Sequence, residues 1–305
     1  MAPPQPDPRP ADAGPVRFLS PKVTTTFDQA ADWYDYATAD HFWIQGRLAA
    51  MLRLIDDLGL PRQAAWRVLD VGCGNGVFCR QLEDATQWTV DGADLNLAAL
   101  ESARRGQACE EMGTGSEPLR ENSGERPSGE VPVPISSCRG QTFYYDIGHR
   151  QAELVGAYDA VTLCDVLEHI AAPQEFLAAV ADHLRPGGWL LVNVPAMQML
   201  YGLYDKVQGH VRRYNKTSLA GVLAGQGWDV AAMRYWGLTM VPIVALRTLA
   251  FGLRRPTESV MRRGFLPPGK LTNRLLRWTL RVELALSRRP PLGTSLLLAA
   301  RKPGE

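Results

Sequence analysis

The sequence lacks the cysteine patterns that mark disulfide frameworks and zinc sites. Its five cysteines stand at positions 73, 79, 109, 138 and 164, and no two of them form a CxxC pair. We therefore predict neither a disulfide nor a metal site from them, and expect a reducing, cytoplasmic compartment. The opening MAPPQPDPRPADAGP has no apolar core and no basic leader, so we expect no secretory signal there.

Long apolar runs and an excess of one charge are also missing. The stretch 238–253 comes nearest to a membrane span, but Pro242 and Arg247 interrupt it short of the roughly 20 apolar residues required. Lysines and arginines number 33 against 32 aspartates and glutamates, for a formal net charge of +1. This balance excludes a generally basic nucleic-acid-binding protein, and we predict no nucleic-acid partner.

Strand-like and helix-like segments alternate through most of the chain. The strand-like segments are WRVLDVGCG, WTVDGADL, QTFYYDI, AYDAVTLCDVL and WLLVNVP, and helix-like segments such as PQEFLAAVADHLRPGG lie between them. Alternation with short links predicts an α/β fold in which helices cover both faces of a parallel sheet.

Three stretches depart from this alternation. Residues 1–15 contain six prolines and are predicted to be a disordered tail, which leaves 16–305 as one folded domain. Residues 106–140 are rich in Gly, Ser, Glu and Pro and are predicted to be a flexible insertion. A second, helical insertion is predicted at 238–290, where the part from 247 to 289 holds eleven Lys or Arg and only two Glu.

The strongest functional signal is VLDVGCGNG at 68–76, where a buried strand runs into Gly72, Gly74 and Gly76. The first strand–helix turn of a doubly wound sheet is a general nucleotide site. Dinucleotide oxidoreductases carry GxGxxG at this turn, whereas this chain has GxGxG. Asp94 ends the second strand, where its carboxylate could accept both ribose hydroxyls, cap the following helix, or do both.

These segments occur in the order found in a known family. VLDVGCGNG, VDGADLN, FYYDI, AYDAVTLCDVLEHI and LRPGGWLLVNVP resemble the class I S-adenosylmethionine-dependent methyltransferases, over about residues 40–237 and the final strand TSLLLAARK. CDVLEHI is similar to the branch that contains ubiquinone-biosynthesis O-methyltransferases. The resemblance implies a Rossmann-like, doubly wound sheet of seven strands with an antiparallel last strand. It also implies methyl transfer from S-adenosylmethionine to a small molecule. We expect the acceptor atom to be oxygen, with nitrogen or carbon as the next candidates.

The resemblance further implies which residues contact the cofactor. Asp70 and the three glycines would hold its methionine part, Asp94 its ribose, and Leu95 would flank its adenine. Asp146 and Ile147 would also contact the adenine, although Asp146 could instead be a turn residue. The methyl end would be lined by residues that follow the fourth strand: Cys164, Asp165 and Leu167.

Two histidines are candidates for the base that removes a proton from the acceptor. His210, in the polar segment GHVRRYN, is the preferred one, and His169, in DVLEHI, is the second or else supports its loop. Glu168 could orient His169 or share a metal ion with it. A sulfonium is already activated and adjacent side chains usually point apart, so we predict no metal site.

Two basic segments are candidates for binding a partner. Arg212, Arg213 and Tyr214 could bind an acidic or phenolic acceptor, although paired arginines are often surface residues. In the segment 271–289, Leu271, Leu275, Trp278 and Val282 share one helical face. We interpret this helix as packed through that face with a solvated basic side. Peripheral contact with an anionic membrane is the alternative.

Two other functions remain open on the sequence. An NAD-dependent oxidoreductase would share the fold edge and the acidic ribose ligand, but the glycine spacing speaks against it. A protein of the same fold that binds the cofactor without catalysis would show the same glycines and Asp94.

Overall fold

The computed structural model describes residues 16–22, 39–101, 139–253 and 268–304. These residues contain one sheet of eight strands: β1 Arg17–Phe18, β2 Arg67–Val71, β3 Thr89–Asp94, β4 Thr142–Tyr144, β5 Tyr158–Cys164, β6 Leu184–Pro195, β7 Asp229–Trp236 and β8 Ser295–Arg301. The α-helices with both ends in the described residues are α1 Phe42–Asp57, α2 Val77–Ala85, α3 Pro173–His183, α4 Leu203–Val207, α5 Lys216–Leu223, α6 Val241–Leu253 and α7 Lys270–Leu286. None of them is long and apolar enough to cross a membrane.

The strand order is β1-β4-β3-β2-β5-β6-β8-β7. The pairs from β1 to β6 are parallel, whereas β8 runs antiparallel to both β6 and β7. The α/β, doubly wound sheet with an antiparallel last strand is therefore confirmed. The predicted count of seven is exceeded by β1, which pairs with β4 at the edge. A strand of two residues is too short to show an alternating pattern, so the sequence does not reveal it.

Successive residues of the central strands enter two separate cores. Leu69 of β2 packs with Leu177 and Leu219 of α3 and α5 on one face. Val68, its neighbour, packs on the other face with Met51 and Leu54 of α1. This alternation follows from the two-residue period of a strand. Helices cover both faces, as the sequence predicts.

Most of the predicted tail and first insertion, 1–15 and 106–138, lies outside the described residues. The described part of the predicted insertion begins at Arg139. The guanidinium of Arg139 donates to the carbonyls of Glu83, Thr86 and Trp88. The described parts of 238–290 are largely helical, as predicted.

One expectation for α7 is wrong. This helix packs inward through Leu276, Leu280 and Leu284, while the face that carries Leu271 and Trp278 is exposed. The helix has two apolar faces, and the sequence alone does not say which of them is buried.

Candidate active site

The sheet reverses its strand order between β2 and β5, and the loops after these two strands touch. Gly72, at the end of β2, has φ +75°. A Cβ there would lie 2.5 Å from Cγ2 of Val166, which follows β5. The crevice beyond the carboxyl ends of strands at such a reversal is where doubly wound sheets bind ligands. The predicted cofactor loop and the predicted methyl-end segment are therefore direct neighbours.

Asp94 ties the glycine turn to the end of β3. Its Oδ2 accepts a hydrogen bond from the Gly74 amide at 2.7 Å, and its Oδ1 accepts one from the Asn96 amide at 2.7 Å. Asn96, not Asp94, caps the next helix, because its Oδ1 accepts from the Ala99 amide. The helix-cap role considered for Asp94 thus belongs to its neighbour. Burial raises the pKa of Asp94.

Asp70 lies deeper, inside the sheet. Its Oδ1 accepts from the Thr162 hydroxyl at 2.5 Å, and its Oδ2 accepts from the Cys79 thiol at 3.4 Å. Burial raises the pKa of Asp70 to about 6, against the lowering effect of the Thr162 hydrogen bond. The carboxylate braces β2 from within the fold.

These residues fit S-adenosylmethionine. Gly72, Gly74 and Gly76 all have positive φ and carry no side chains, so a ligand can approach the loop backbone. The Asp94 carboxylate stands at the strand end with lone pairs that ribose hydroxyls can use. The chemistry of this set is that of a nucleoside cofactor site.

The other predicted cofactor residues differ in their accessibility. Asp146 caps a short turn, because its Oδ1 accepts from the Gly148 amide at 2.9 Å. Ile147, Cys164 and Leu167 are buried, and Leu95 is half-buried. Their roles toward a cofactor remain predictions.

Asp165 is held by two residues that no sequence motif indicates. Its Oδ2 accepts from Arg47 Nη1 of α1 at 2.8 Å, and its Oδ1 accepts from Asn193 Nδ2 of β6 at 2.7 Å. Asn193 in turn accepts from the Trp236 indole at 2.8 Å. These contacts fix Asp165 at φ +60°, a conformation that residues other than glycine rarely adopt.

Both candidate bases lie together beyond β5. The rings of His169 and His210 meet edge to face with centroids 4.8 Å apart. Nε2 of His210 lies 3.9 Å from Oε1 of Glu168, whose carboxylate is fully buried without a hydrogen-bond partner among the described residues. Burial and the charge of Asp165 raise the pKa of Glu168 well above its ordinary value. Burial, helped by His210, lowers the pKa of His169 to about 4.

Asp205 is a further residue of this cluster. Its Oδ1 lies 3.0 Å from Nδ1 of His210 and 2.7 Å from Nε of Arg213. Arg213 is consequently buried, and Tyr214 is buried with its hydroxyl donating to the Leu167 carbonyl at 3.0 Å. Of the three residues predicted to bind the acceptor, Arg212 is the one that is not buried; it is half-buried. It donates to the Ala171 carbonyl at 3.1 Å.

The cluster has the donor set of a cation site. One ligand atom from each of Glu168, His169 and His210 lies within 4.8 Å of the others. A carboxylate with two imidazoles is a set that a divalent metal ion accepts. The expectation that the side chains of Glu168 and His169 point apart is therefore wrong, because both lie on one short turn beside His210.

The fold is that of an α/β protein with a glycine turn suited to a nucleoside cofactor, next to a group of acid–base residues. Residues 42–232 match the family model described as a methyltransferase domain. The chain belongs to this family, within the class I S-adenosylmethionine-dependent methyltransferases. The family predicted from the resemblance is thereby confirmed.

Two relatives are both named ubiquinone biosynthesis O-methyltransferase. The protein from Chromobacterium violaceum is 29% identical over 131 residues, which cover 43% of this chain and 44% of the relative. The protein from Thiobacillus denitrificans is 32% identical over 130 residues, with coverages of 43% and 44%. The chain thus spans less than half the length of the curated relatives it matches.

Solved structures support the fold. Haemonchus contortus phosphoethanolamine N-methyltransferase 2, in complex with S-adenosylmethionine, gives a TM-score of 0.52 at 17% identity, covering 93% of this chain and 61% of that one. The cyclase SpnF gives 0.50 at 17% identity, with coverages of 83% and 81%. Since one of these is named a cyclase, the fold alone does not define the reaction.

Proposed function

We propose that this protein transfers the methyl group of S-adenosylmethionine to an oxygen atom of a small molecule, with His210 as the general base. The observation that carries the proposal is the position of His210, which pairs with Asp205 and lies beside Glu168. Glu168 is two residues after Val166, and Val166 packs against Gly72 of the glycine turn. A base and a cofactor loop at one sheet edge are what proton removal coupled to group transfer requires.

The residues on the β2 and β3 side bind the cofactor. S-adenosylmethionine supplies a methyl group on a positively charged sulfur, which an acceptor lone pair can attack in line with the departing sulfur. The glycine turn leaves its backbone open to the ligand, and Asp94 accepts hydrogen bonds from the ribose. Arg47 and Asn193 keep Asp165 in place at the neighbouring strand end.

The residues after β5 and β6 handle the proton. Asp205 accepts from Nδ1–H of His210, which leaves Nε2 with the lone pair that takes a proton from an acceptor hydroxyl. The charge that then forms on the imidazole is stabilised by Asp205, whose pKa is held below its ordinary value. Arg212, the half-buried arginine of the segment, is placed to meet an anionic group on the acceptor.

Oxygen is the preferred acceptor atom because both reported relatives are named O-methyltransferases. A hydroxyl also benefits most from a positioned base, since it is weakly nucleophilic until it loses its proton. An NAD-dependent oxidoreductase is not favoured, because the turn has GxGxG spacing and the family match is to methyltransferases.

The test uses the full chain with S-adenosylmethionine and a panel of phenols, carboxylic acids and amines. Mass spectrometry follows the methylated product together with S-adenosylhomocysteine. Methylated phenols from the wild-type protein, and loss of that product in His210→Ala, are expected. Calorimetric binding of S-adenosylmethionine without turnover on any acceptor would favour a non-catalytic protein. Binding of NAD in its place would contradict the assignment.

A further inference from the structure

Helix α7 presents a second apolar face to solvent. Its inward face, with Leu276, Leu280 and Leu284, packs into the core that also holds α1. On the opposite side, Leu271 is 81% exposed, Leu275 57%, Trp278 60% and Leu286 82%. Contiguous exposed apolar surface of this kind marks an interaction site on a folded protein.

Positive charge borders this apolar face on one side. Arg274 and Arg281 are exposed and lie next to the stripe of Leu271, Leu275 and Trp278 on the helical projection. Arg288 and Arg289 follow directly after the helix and are also exposed. The edge of the stripe is therefore basic along the whole helix.

The acidic residue of α7 is turned away from this surface. Glu283 is buried, and its carboxylate accepts from the amides of Gly237, Leu238 and Thr239. Between 268 and 304 it is the one acidic side chain. Within 268–304 no carboxylate therefore offsets the arginines on the exposed face, and the nearby carboxylates come from α1, where the charge of Arg288 reaches Asp57 and Asp56 lines one pocket with Arg281.

Helix α6 also carries an exposed apolar face. Ile243, Leu246 and Leu249, spaced three residues apart, are all exposed. Both α6 and α7 contact the short turn Leu238–Met240. The opposite side of α6 packs onto the segment that holds the acid–base cluster, where the Arg247 guanidinium lies 3.7 Å above the Tyr204 ring.

We propose that α7, together with the exposed face of α6, docks the protein on the surface of an anionic lipid bilayer. In such an orientation the leucines and Trp278 enter the boundary between headgroups and acyl chains. Arg274 and Arg281 then remain at the level of the lipid phosphates. The charge of this surface favours an anionic bilayer over a second copy of the chain, because a second copy would place its own arginines against those of α7. Solvation alone does not account for four exposed apolar side chains.

The experiment is co-sedimentation of the full chain with vesicles of phosphatidylcholine, alone or with about 30 mol% phosphatidylglycerol. We expect binding to the anionic vesicles at least about tenfold tighter than to the neutral ones. This binding should weaken as NaCl rises from about 0.1 M to about 0.5 M. Equal partitioning onto both kinds of vesicle would overturn the proposal.

Matched variants locate the surface. Leu275→Glu and Trp278→Glu should each lower binding at least about tenfold, and Arg274→Glu about fivefold or more. Val155→Glu and Arg185→Glu make the same changes at exposed positions elsewhere and should leave binding within about twofold. Circular dichroism confirms that each variant is folded. Loss of binding in the controls as well, or a dimer in light scattering that Trp278→Glu dissociates, would contradict docking on lipid.

Discussion

The imidazole of His210 lies between two buried carboxyl groups. Its Nδ1 is 3.0 Å from Oδ1 of Asp205, and its Nε2 is 3.9 Å from Oε1 of Glu168. Burial raises the pKa of Asp205, but the hydrogen bond from His210 and the charge of Arg213 outweigh it and hold the pKa below its ordinary value. A charged Asp205 therefore fixes the His210 tautomer that can accept a proton at Nε2.

Removal of this imidazole should slow turnover without affecting cofactor binding. We expect His210→Ala to lower kcat by about 10² or more, while the affinity for S-adenosylmethionine stays within a few-fold. Initial rates with the acceptor found in the panel, together with calorimetry, check both values. If His169→Ala loses activity and His210→Ala does not, His169 is the base. Normal rates in both variants would mean that catalysis rests on positioning alone.

The Asp205→Asn variant tests whether this carboxylate acts through His210. We expect a fall in kcat of about tenfold or more, because the amide no longer holds the same tautomer. The double variant His210→Ala/Asp205→Asn should be no slower than His210→Ala alone, since residues acting as a unit are non-additive. Multiplied losses in the double variant would assign Asp205 a separate role, such as holding Arg213.

Replacement of Asp94 should weaken cofactor binding. Loss of two charge-assisted hydrogen bonds to the ribose, each worth about 1.5–3 kcal/mol, should reduce the affinity of Asp94→Ala at least about tenfold. Asn96→Ala serves as the control, because it removes the helix cap and leaves the Asp94 carboxylate in place. Unchanged affinity in Asp94→Ala, with the fold intact by circular dichroism, would reject the ribose assignment.

The architecture is readable from the sequence wherever a local pattern determines it. Strands such as β2 and β5 are short apolar runs that end in turns, and a buried parallel strand leaves that signal. The glycine turn and Asp94 are recognisable because a tight turn and a strand-end carboxylate each depend on one segment. The two-residue β1 and the buried face of α7 depend on what packs against them.

The pairs that build the acid–base side are not visible in any single segment. Arg47 and Asp165 are 118 positions apart in the chain, and the sequence around either residue does not indicate that they pair. A weak signal does exist, since Arg47 stands between Ile44 and Met51 on the buried stripe of α1, where an arginine needs a partner. Asp205 is only five residues before His210. Their pairing depends on the short helix α4, Leu203–Val207, which the sequence does not predict.

Asp70 should make stability depend on pH. Its pKa is about 6 in the folded protein against 3.8 in the unfolded chain, so the unfolded state loses the proton first. Stability contributed by the neutral form is thus present below pH 4 and is lost as pH rises towards 6. We expect the free energy of unfolding of Asp70→Asn, relative to wild type, to rise by about 2.4 kcal/mol between pH 4 and pH 7. Urea titrations without cofactor measure it, with the exposed Asp229→Asn as control. A constant difference would show that Asp70 ionises alike in both states.

The close contact between Gly72 and Val166 joins the loop after β2 to the loop after β5, and substitutions at these two residues test it. In Gly72→Ala the new methyl would lie 2.5 Å from Cγ2 of Val166, and alanine would have to adopt φ +75°. Overpacking and the left-handed backbone together should lower the free energy of unfolding by about 2–4 kcal/mol.

Val166→Ala separates these two causes. It removes Cγ1 and Cγ2 and leaves Cβ at 3.7 Å from the new methyl, which is an ordinary contact. In the double variant Gly72→Ala/Val166→Ala we therefore expect the overpacking to vanish and the backbone cost of about 1–2 kcal/mol to remain. The losses of unfolding free energy in the two single variants would then sum to more than the loss in the double variant. Urea unfolding of all four proteins measures this coupling. Strict additivity would mean that the loops after β2 and β5 do not touch in solution, and that the cofactor loop and the acid–base segment are joined elsewhere.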